Sequence, residues 1–305
     1  PVECISASAF RNQTQISSIS LPDSLTSIES NAFAGCTGLT SIVIPDSVTS
    51  VDSTAFSGCT NITTVSMPAS IRNYIPNVKN ATITSGNAIL ASAFENCTTL
   101  LSVTLPNSLV SIGNKAFSGC KELEDIKIPS SVTAIGRSAF MECENLKEIV
   151  IPNGVTTIEI STFEGCKLLG NVAIPDSVAA IEDHAFSDCK ALRYIGTPNS
   201  VTSIGRSVFK GCENLREIQI SEKITTIEES TFEDCKELIS VCTVNERNCI
   251  SSQNICNLSG VTVIKDRAFF GCKSLRNLYL GKNVTTIGKA AFKDCINLKL
   301  ERIPG

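Results

Sequence analysis

Apolar side chains recur along this chain in a frame of 23 residues. The frame at residues 116–138 reads AFSGCKELEDIKIPSSVTAIGRS, and its apolar positions are spaced too irregularly for an amphipathic helix. Ile126 and Ile128 flank a polar residue, as in a short strand, and Pro129 ends that strand because proline cannot donate to a ladder. Residues 132–135 predict a second extended segment, and the Ala-Phe-x-x-Cys stretch predicts a single helical or 3₁₀ turn.

A phenylalanine marks the same place in each frame. The members of this series are Phe10, Phe33, Phe56, Phe94, Phe117, Phe140, Phe163, Phe186, Phe209, Phe232, Phe269 and Phe292. The step is 23 residues, except for 38 between Phe56 and Phe94 and 37 between Phe232 and Phe269. A single coil cannot bury its own inward side chains, so we expect about twelve coils to stack into a repeat solenoid.

The two longer steps mark insertions near residues 74–85 and 245–259 of one solenoid domain that covers residues 1–305. Insertions in repeat arrays map to loops on one face and often carry function, so both are candidate binding loops. The chain starts at Pro1 without an apolar leader, and its last repeat lacks a polar cap. We therefore expect it to be a fragment of a longer protein.

Units of the form L-x-x-I-x-I-P-x-S-V-T-x-I-G-x-x-A-F-x-G-C resemble the BspA-like, treponemal-type leucine-rich repeats. The resemblance covers nearly the whole chain apart from the two insertions. It implies a right-handed leucine-rich-repeat superhelix that is rich in strands, has short helical turns and carries a parallel sheet on its concave face. It also implies a surface protein of oral or gut bacteria or of protozoan parasites, used for adhesion to host matrix or to other cells.

Composition removes several classes of partner. The chain has 26 basic and 30 acidic residues, so nothing favours binding to nucleic acid or to an acidic membrane surface. No run of about 18 apolar residues occurs, and we expect no membrane span.

Fifteen cysteines suggest either a disulfide framework or a metal site. Eleven of them stand three residues after a phenylalanine of the series, where they form a column that we expect to be buried as small hydrophobes. A single column cannot offer the four converging ligands that zinc needs, so we expect no metal. Cys242, Cys249 and Cys256 surround the second insertion, where they form either a disulfide-stapled loop or free thiols. Register places Cys242 at an outward strand position.

No catalytic motif is present. His184 is the only histidine, and it stands at a repeat position that other coils fill with Ser, Lys, Asn or Arg. A nucleophile of the Ser–His or Cys–His type would have to use it, and no local motif surrounds it. We expect neither an enzyme nor a bound cofactor.

Outward strand positions are the candidate binding surface. If Leu123, Ile126 and Ile128 point inward, the residues between them point outward, and the same register can be carried along the chain. Two consecutive coils then present Arg193, Tyr194, Arg216 and Glu217 together, and Tyr279 is a further candidate. Arginine and tyrosine are enriched in binding hot spots. The alternative is an ordinary solvated sheet face.

The leading hypothesis is a non-enzymatic binding or adhesion module of a cell-surface or secreted protein. Its partner would be a protein or a glycan, such as host extracellular matrix or another cell surface. One alternative is an intracellular scaffold for protein–protein interactions. Another is the non-catalytic repeat part of a larger enzyme.

Overall fold

The structure is a computed structural model, and it describes residues 1–243, 255–258 and 260–302. In this part of the chain all secondary structure consists of short strands of two to four residues, and every pairing between them is parallel. Each regular coil contributes one strand to each of two faces. The predicted solenoid is therefore confirmed.

Face 1 is built by the Leu-x-x-Ile-x-Ile segments, whose alternation puts every second side chain into the core. Its strands are β3 (Ser41–Val43), β5 (Thr64–Met67), β6 (Asn80–Ile83), β8 (Ser102–Thr104), β10 (Asp125–Ile126), β12 (Glu148–Val150), β14 (Asn171–Ala173), β16 (Tyr194–Gly196), β18 (Glu217–Ile220), β20 (Ser240–Thr243), β21 (Ile255–Leu258), β23 (Asn277–Leu280) and β25 (Lys299–Arg302). They form sheets in the orders β10-β8-β6-β5-β3, β12-β14 and β16-β18-β20-β21-β23-β25.

Face 2 is built by the second extended segments, most of which bury an isoleucine, although Val51 is half-buried and Ile287 in the last segment is exposed. Its strands are β1 (Cys4–Ile5), β2 (Ser27–Ile28), β4 (Ser50–Val51), β7 (Ala88–Ile89), β9 (Ser111–Ile112), β11 (Ala134–Ile135), β13 (Thr157–Ile158), β15 (Ala180–Ile181), β17 (Ser203–Ile204), β19 (Thr226–Ile227), β22 (Val263–Ile264) and β24 (Thr286–Ile287). They group as β1-β2-β4, β11-β9-β7, β13-β15-β17 and β19-β22-β24.

The core between the faces consists of columns in which equivalent residues of successive coils touch. The phenylalanine column is a stack of nearly parallel rings, for example Phe117 on Phe140 with ring centroids 5.5 Å apart. Both rings are fully buried, as are the Leu123 and Cys143 side chains of the neighbouring columns. Burial of this apolar surface is the main source of stability, because each coil contacts only its neighbours.

We call the third side of each coil the turn side. One prediction about it was wrong. The Ala-Phe-x-x-Cys stretch was expected to be helical, and it forms successive β-turns instead. The Cys120 amide donates to the Phe117 carbonyl at 3.1 Å, and Gly119 between them has a positive φ of 74°. This is the pattern of a type II turn. The Phe117 amide donates to Ala139 of the next coil at 2.8 Å, so the turn side also ties coils together, which a helix could not do.

The first insertion is a short coil rather than the predicted surface loop. Sixteen residues separate Thr64 on β5 from its register partner Asn80 on β6, and a further 22 separate Asn80 from Ser102 on β8. Face 1 therefore continues through the insertion. Face 2 does not, because β4 and β7 belong to different sheets.

The second insertion also adds a strand to face 1. Cys242 on β20 pairs with Asn257 on β21, and Asn257 pairs with Tyr279 on β23. Residues 244–254, which include Cys249, lie outside the described residues. Here face 2 bypasses the insertion, since β19 pairs directly with β22.

Candidate functional site

A shallow groove of about 470 Å³ crosses face 1 where β12, β14 and β16 lie side by side. Its floor is the coil that contains β14, whose outward positions carry Gly170 and Ala173. The coil before has Lys147 in place of that glycine, and the coil after has Arg193. The groove therefore exists because this coil has a glycine where both neighbouring coils have a long basic side chain.

The first wall of the groove combines an apolar and an acidic side chain. Val150 on β12 is 70% exposed and lies beside Ala173 in register. Glu148, two residues earlier on the same strand, points outward on the same wall. An exposed valine beside a recess offers apolar contact area to a partner.

The second wall carries Tyr194 on β16, which is 48% exposed. Its hydroxyl lies 3.3 Å from the Oε1 of Gln219 on the next strand. A Cβ at Gly196 would lie 3.1 Å from the tyrosine hydroxyl, so the absence of a side chain there leaves room for the ring. The hydroxyl end of Tyr194 thus lies close to Gly196, and about half of the tyrosine surface is exposed.

Two arginines adjoin this wall. The Arg216 amide donates to the Arg193 carbonyl at 2.9 Å, which places the two residues next to each other on adjacent coils. Both side chains are exposed, and neither forms an ion pair within the described part of the chain. Elsewhere on face 1, Lys147 is held by Glu124 at 2.7 Å. The guanidinium groups of Arg193 and Arg216 are therefore available to an incoming ligand.

The register prediction brings together four of its five candidates. Arg193, Tyr194 and Arg216 are exposed, and Glu217 is half-buried directly beside Tyr194 on β18. Tyr279 on β23 is exposed but lies three strands beyond β18, so it does not belong to the groove.

Several groove residues escaped the sequence reasoning. They are Val150, Gly170, Asn171 and Ala173. The sequence signal for the groove was the pair of small residues, Gly170 and Ala173, at outward positions of one coil. Small side chains between larger ones leave a recess in the sheet surface.

The cysteine column is buried, as predicted. Cys97 is half-buried, and the ten buried members are Cys36, Cys59, Cys120, Cys143, Cys166, Cys189, Cys212, Cys235, Cys272 and Cys295. Desolvation by burial raises the thiol pKa of Cys120, Cys143 and Cys189 far above the ordinary value. Such thiols are poor nucleophiles.

Cys242 was predicted to be at an outward, exposed position, and its side chain is buried. It stands at the outward register position beside Gln219 on β18, yet it is only 2% exposed, and it is disulfide-bonded. Cys249 and the side chain of Cys256 lie outside the described residues, so the stapled loop stays a prediction.

His184 lies in a β-turn of the turn side, and its role there is structural. Its φ is 59°, and its amide donates to the Arg206 carbonyl at 2.9 Å. Among the described residues, no cluster of histidine, cysteine and acidic side chains is arranged to hold a metal ion. The same residues contain no helix that could cross a bilayer.

One carboxylate on the turn side is buried. The side chain of Glu233 is 6% exposed and accepts two hydrogen bonds from Arg267, of 3.0 and 2.7 Å. Lys210 lies 3.4 Å away, and the hydrogen bonds from Arg267 are the main cause that lowers the pKa of Glu233 to about 2. The guanidinium carbon of Arg267 lies 4.0 Å from the ring centre of Phe270. This cluster joins the coils on either side of the second insertion.

Comparison with known repeats agrees with this architecture. The BspA type leucine-rich repeat region matches in six copies, over residues 3–78, 73–193, 161–259 and 246–305. The chain belongs to the BspA-type leucine-rich-repeat family. No curated protein is recognisably similar to it.

Solved structures of bacterial repeat proteins are similar to this chain. A leucine-rich repeat protein from Bacteroides ovatus is 28% identical, with a TM-score of 0.52 over 90% of this chain and 82% of that one. A leucine rich cell surface protein from Faecalibacterium prausnitzii is 29% identical, with a TM-score of 0.51 over 98% and 82% of the two chains.

Proposed function

We propose that this chain is a non-enzymatic binding module of a cell-surface or secreted protein, and that the groove on face 1 binds an acidic segment of a protein partner. The observation that carries the proposal is the pair of unpaired guanidinium groups, Arg193 and Arg216, beside a recess with exposed apolar walls. Adhesion to a host matrix protein or to another cell is the role that such binding would serve.

Charge complementarity favours an acidic partner. Two exposed arginines on adjacent coils repel each other until an anion lies between them, and a guanidinium can form paired hydrogen bonds with a carboxylate. Glu148 on the far wall disfavours a second acidic group there. The best fit is a segment with a carboxylate at one end and an apolar side chain at the other.

The groove residues are also the kinds that carry binding energy. Tyrosine and arginine are enriched among hot spots, which cluster where a partner can exclude water. Val150 and Tyr194 flank a floor made of Gly170 and Ala173, so a partner side chain can enter between them. Three strands spaced by about 4.8 Å give the groove a width of roughly 10 Å, which suits an extended peptide.

Two observations support a location outside the cytoplasm. The similar protein from Faecalibacterium prausnitzii is described as a cell surface protein. Cys242 is disulfide-bonded, and disulfides persist mainly in oxidising environments. An intracellular scaffold would use the same groove without that disulfide.

A peptide-display selection tests the proposal. Random peptides are selected on the whole protein, and the best binder is titrated against Arg193→Ala/Tyr194→Ala/Arg216→Ala. We expect selected peptides to be acidic, and the triple variant to weaken binding by at least about tenfold, equal to about 1.4 kcal/mol. Binding should also weaken as salt is raised.

The matched control removes two exposed arginines that follow strands of face 2, in Arg137→Ala/Arg206→Ala. This variant should bind like the wild-type protein, and both variants should melt normally, because exposed substitutions change stability by about 0.5 kcal/mol or less. Selection of basic peptides, or equal binding by the groove variant and the wild-type protein, would contradict the proposal.

A further inference from the structure

The short coil of the first insertion borders a recess on the turn side. The recess holds about 370 Å³ and lies between residues 73–77 of the short coil and residues 95–99 of the next turn side. This volume falls within the usual range of ligand pockets, about 300–1,000 Å³. Tyr74, which is 37% exposed, stands at its edge and also borders a second recess of about 210 Å³.

The recess exists because two columns of the solenoid are interrupted here. The short coil has no phenylalanine of the series, and within the described residues Phe56 and Phe94 each stack on one ring only. Cys97 is correspondingly half-buried, and its thiol lies 3.7 Å from the Val78 carbonyl rather than near a phenylalanine carbonyl. The turn at residues 95–99 thus lacks the cover that a regular preceding coil would give it.

Polar groups without partners line this recess. Asn77 donates its Nδ2 to the Thr60 carbonyl at 3.1 Å, which leaves its Oδ1 as a free acceptor. The Tyr74 hydroxyl, the side-chain amide of Asn96 and the Thr98 hydroxyl have no hydrogen-bond partner within the described part of the chain, whereas the Asn96 backbone amide donates to the Ser118 carbonyl at 2.7 Å. The recess therefore offers both donors and acceptors beside one exposed aromatic ring.

The charges nearby limit the kind of ligand. The only charged residue of the lining is Glu95, which Lys115 holds at 3.6 Å. A carboxylate at the rim disfavours anions, and the amide and hydroxyl lining disfavours apolar ligands, which would leave those groups unpaired. What fits is a neutral ligand with many hydroxyl groups and one apolar face.

We propose that this recess binds a neutral saccharide. The ring of Tyr74 packs against the C–H face of the sugar, and Asn77, Asn96 and Thr98 exchange hydrogen bonds with its hydroxyls, each of which can donate and accept. The site lies on the turn side of another coil, so it is separate from the groove on face 1 and does not depend on the function proposed for that groove.

Saturation-transfer NMR on the whole protein tests the site. The probes are neutral oligosaccharides built from glucose, galactose, N-acetylglucosamine and N-acetylgalactosamine. We expect transfer to the ring protons of at least one probe, and a loss of affinity of at least about tenfold in Tyr74→Ala. Tyr74→Phe should keep most of the affinity, since the ring remains.

Tyr279→Ala is the matched control, because Tyr279 is 39% exposed and stands far along face 1. It should leave saccharide binding unchanged, as should the triple variant of the groove. If Tyr74→Ala melts early, Asn96→Gly and Thr98→Val supply the test. Glycine fills the position of Asn96 in other coils and accepts its φ of 61°.

The proposal is overturned if none of the neutral probes shows transfer to the wild-type protein. It is equally overturned if Tyr279→Ala reduces binding as much as Tyr74→Ala, or if Asn96→Gly and Thr98→Val both bind like the wild-type protein.

Discussion

The thiol of Cys143 donates a hydrogen bond of 3.2 Å to the carbonyl oxygen of Phe117, which belongs to the preceding coil. The same carbonyl accepts the Cys120 amide at 3.1 Å, so it ties its own coil and joins it to the next. The relationship repeats from Cys36 to Cys295, except at Cys97, whose thiol lies 3.7 Å from the Val78 carbonyl. It explains the column physically, because cysteine is small and apolar yet carries a weak donor.

Thiol labelling should follow burial along this column. Cys4 is exposed and should react first, Cys97 should react slowly, and Cys143 should react only after unfolding. Burial raises the pKa of Cys97 to about 11, so its thiolate is scarce near neutral pH. Its labelling rate should rise about tenfold per pH unit below that pKa, because the thiolate is the nucleophile. Mass spectrometry of labelled peptides measures this order, and native labelling of Cys143 as fast as Cys4 would refute it.

Phenylalanines with different numbers of stacked neighbours should differ in their contribution to stability. Phe140 stacks on Phe117 and Phe163, whereas Phe56 stacks on Phe33 alone, and Phe140 and Phe56 are both fully buried. Phe140→Leu should therefore lower the free energy of unfolding by about 0.5–1.5 kcal/mol more than Phe56→Leu. Denaturant unfolding of the two variants provides the comparison. Equal losses would show that ring stacking adds nothing beyond burial.

The buried carboxylate should make stability depend on pH. The pKa of Glu233 is lowered to about 2, so its contribution to stability is complete above the ordinary glutamate pKa of about 4.3. That contribution is lost as pH falls through the folded-state value. Glu233→Gln should lower the free energy of unfolding at pH 7 by about 1.5–3 kcal/mol, and the difference should shrink from about pH 5 to about pH 2.

The control for this effect is Glu213→Gln. Glu213 bridges Lys190 at 3.2 Å and Lys236 at 3.0 Å, but its side chain is 37% exposed. Solvent screens such pairs, and the loss should stay within about 1 kcal/mol. Equal effects of the two substitutions on urea unfolding would mean that burial of Glu233 has no energetic weight.

The repeating frame predicted the stacked coils because equivalent residues meet equivalent surroundings in every coil. The prediction for the turn side was wrong because a Phe-x-x-Cys spacing fits a helical turn as well as successive β-turns. Gly119, Asn96 and Asp188 share one position of the frame, and all three have positive φ. Those residue types tolerate left-handed backbone, so their alignment could have identified the turns.

The structures of the two insertions and of the groove were not predicted from the sequence. The missing phenylalanine suggested a loop at the first insertion, although Val78 and Ile83 keep the inward spacing of a face 1 strand. The repeat register placed Arg193 beside Arg216 and Tyr194 beside Glu217, and the structure has the same neighbours. The register did not predict the recess beside them, because the recess depends on the missing side chain of Gly170 and the small side chain of Ala173.

Filling the groove tests its role in binding most directly. Ala173→Trp places a large side chain on the groove floor, and Thr104→Trp places one at the equivalent outward position of β8, away from the groove. The dissociation constant of the selected acidic peptide should rise by at least about tenfold for Ala173→Trp and stay unchanged for Thr104→Trp. Wild-type affinity in Ala173→Trp, or an equal loss in both variants, would contradict the assignment of the groove as the binding surface.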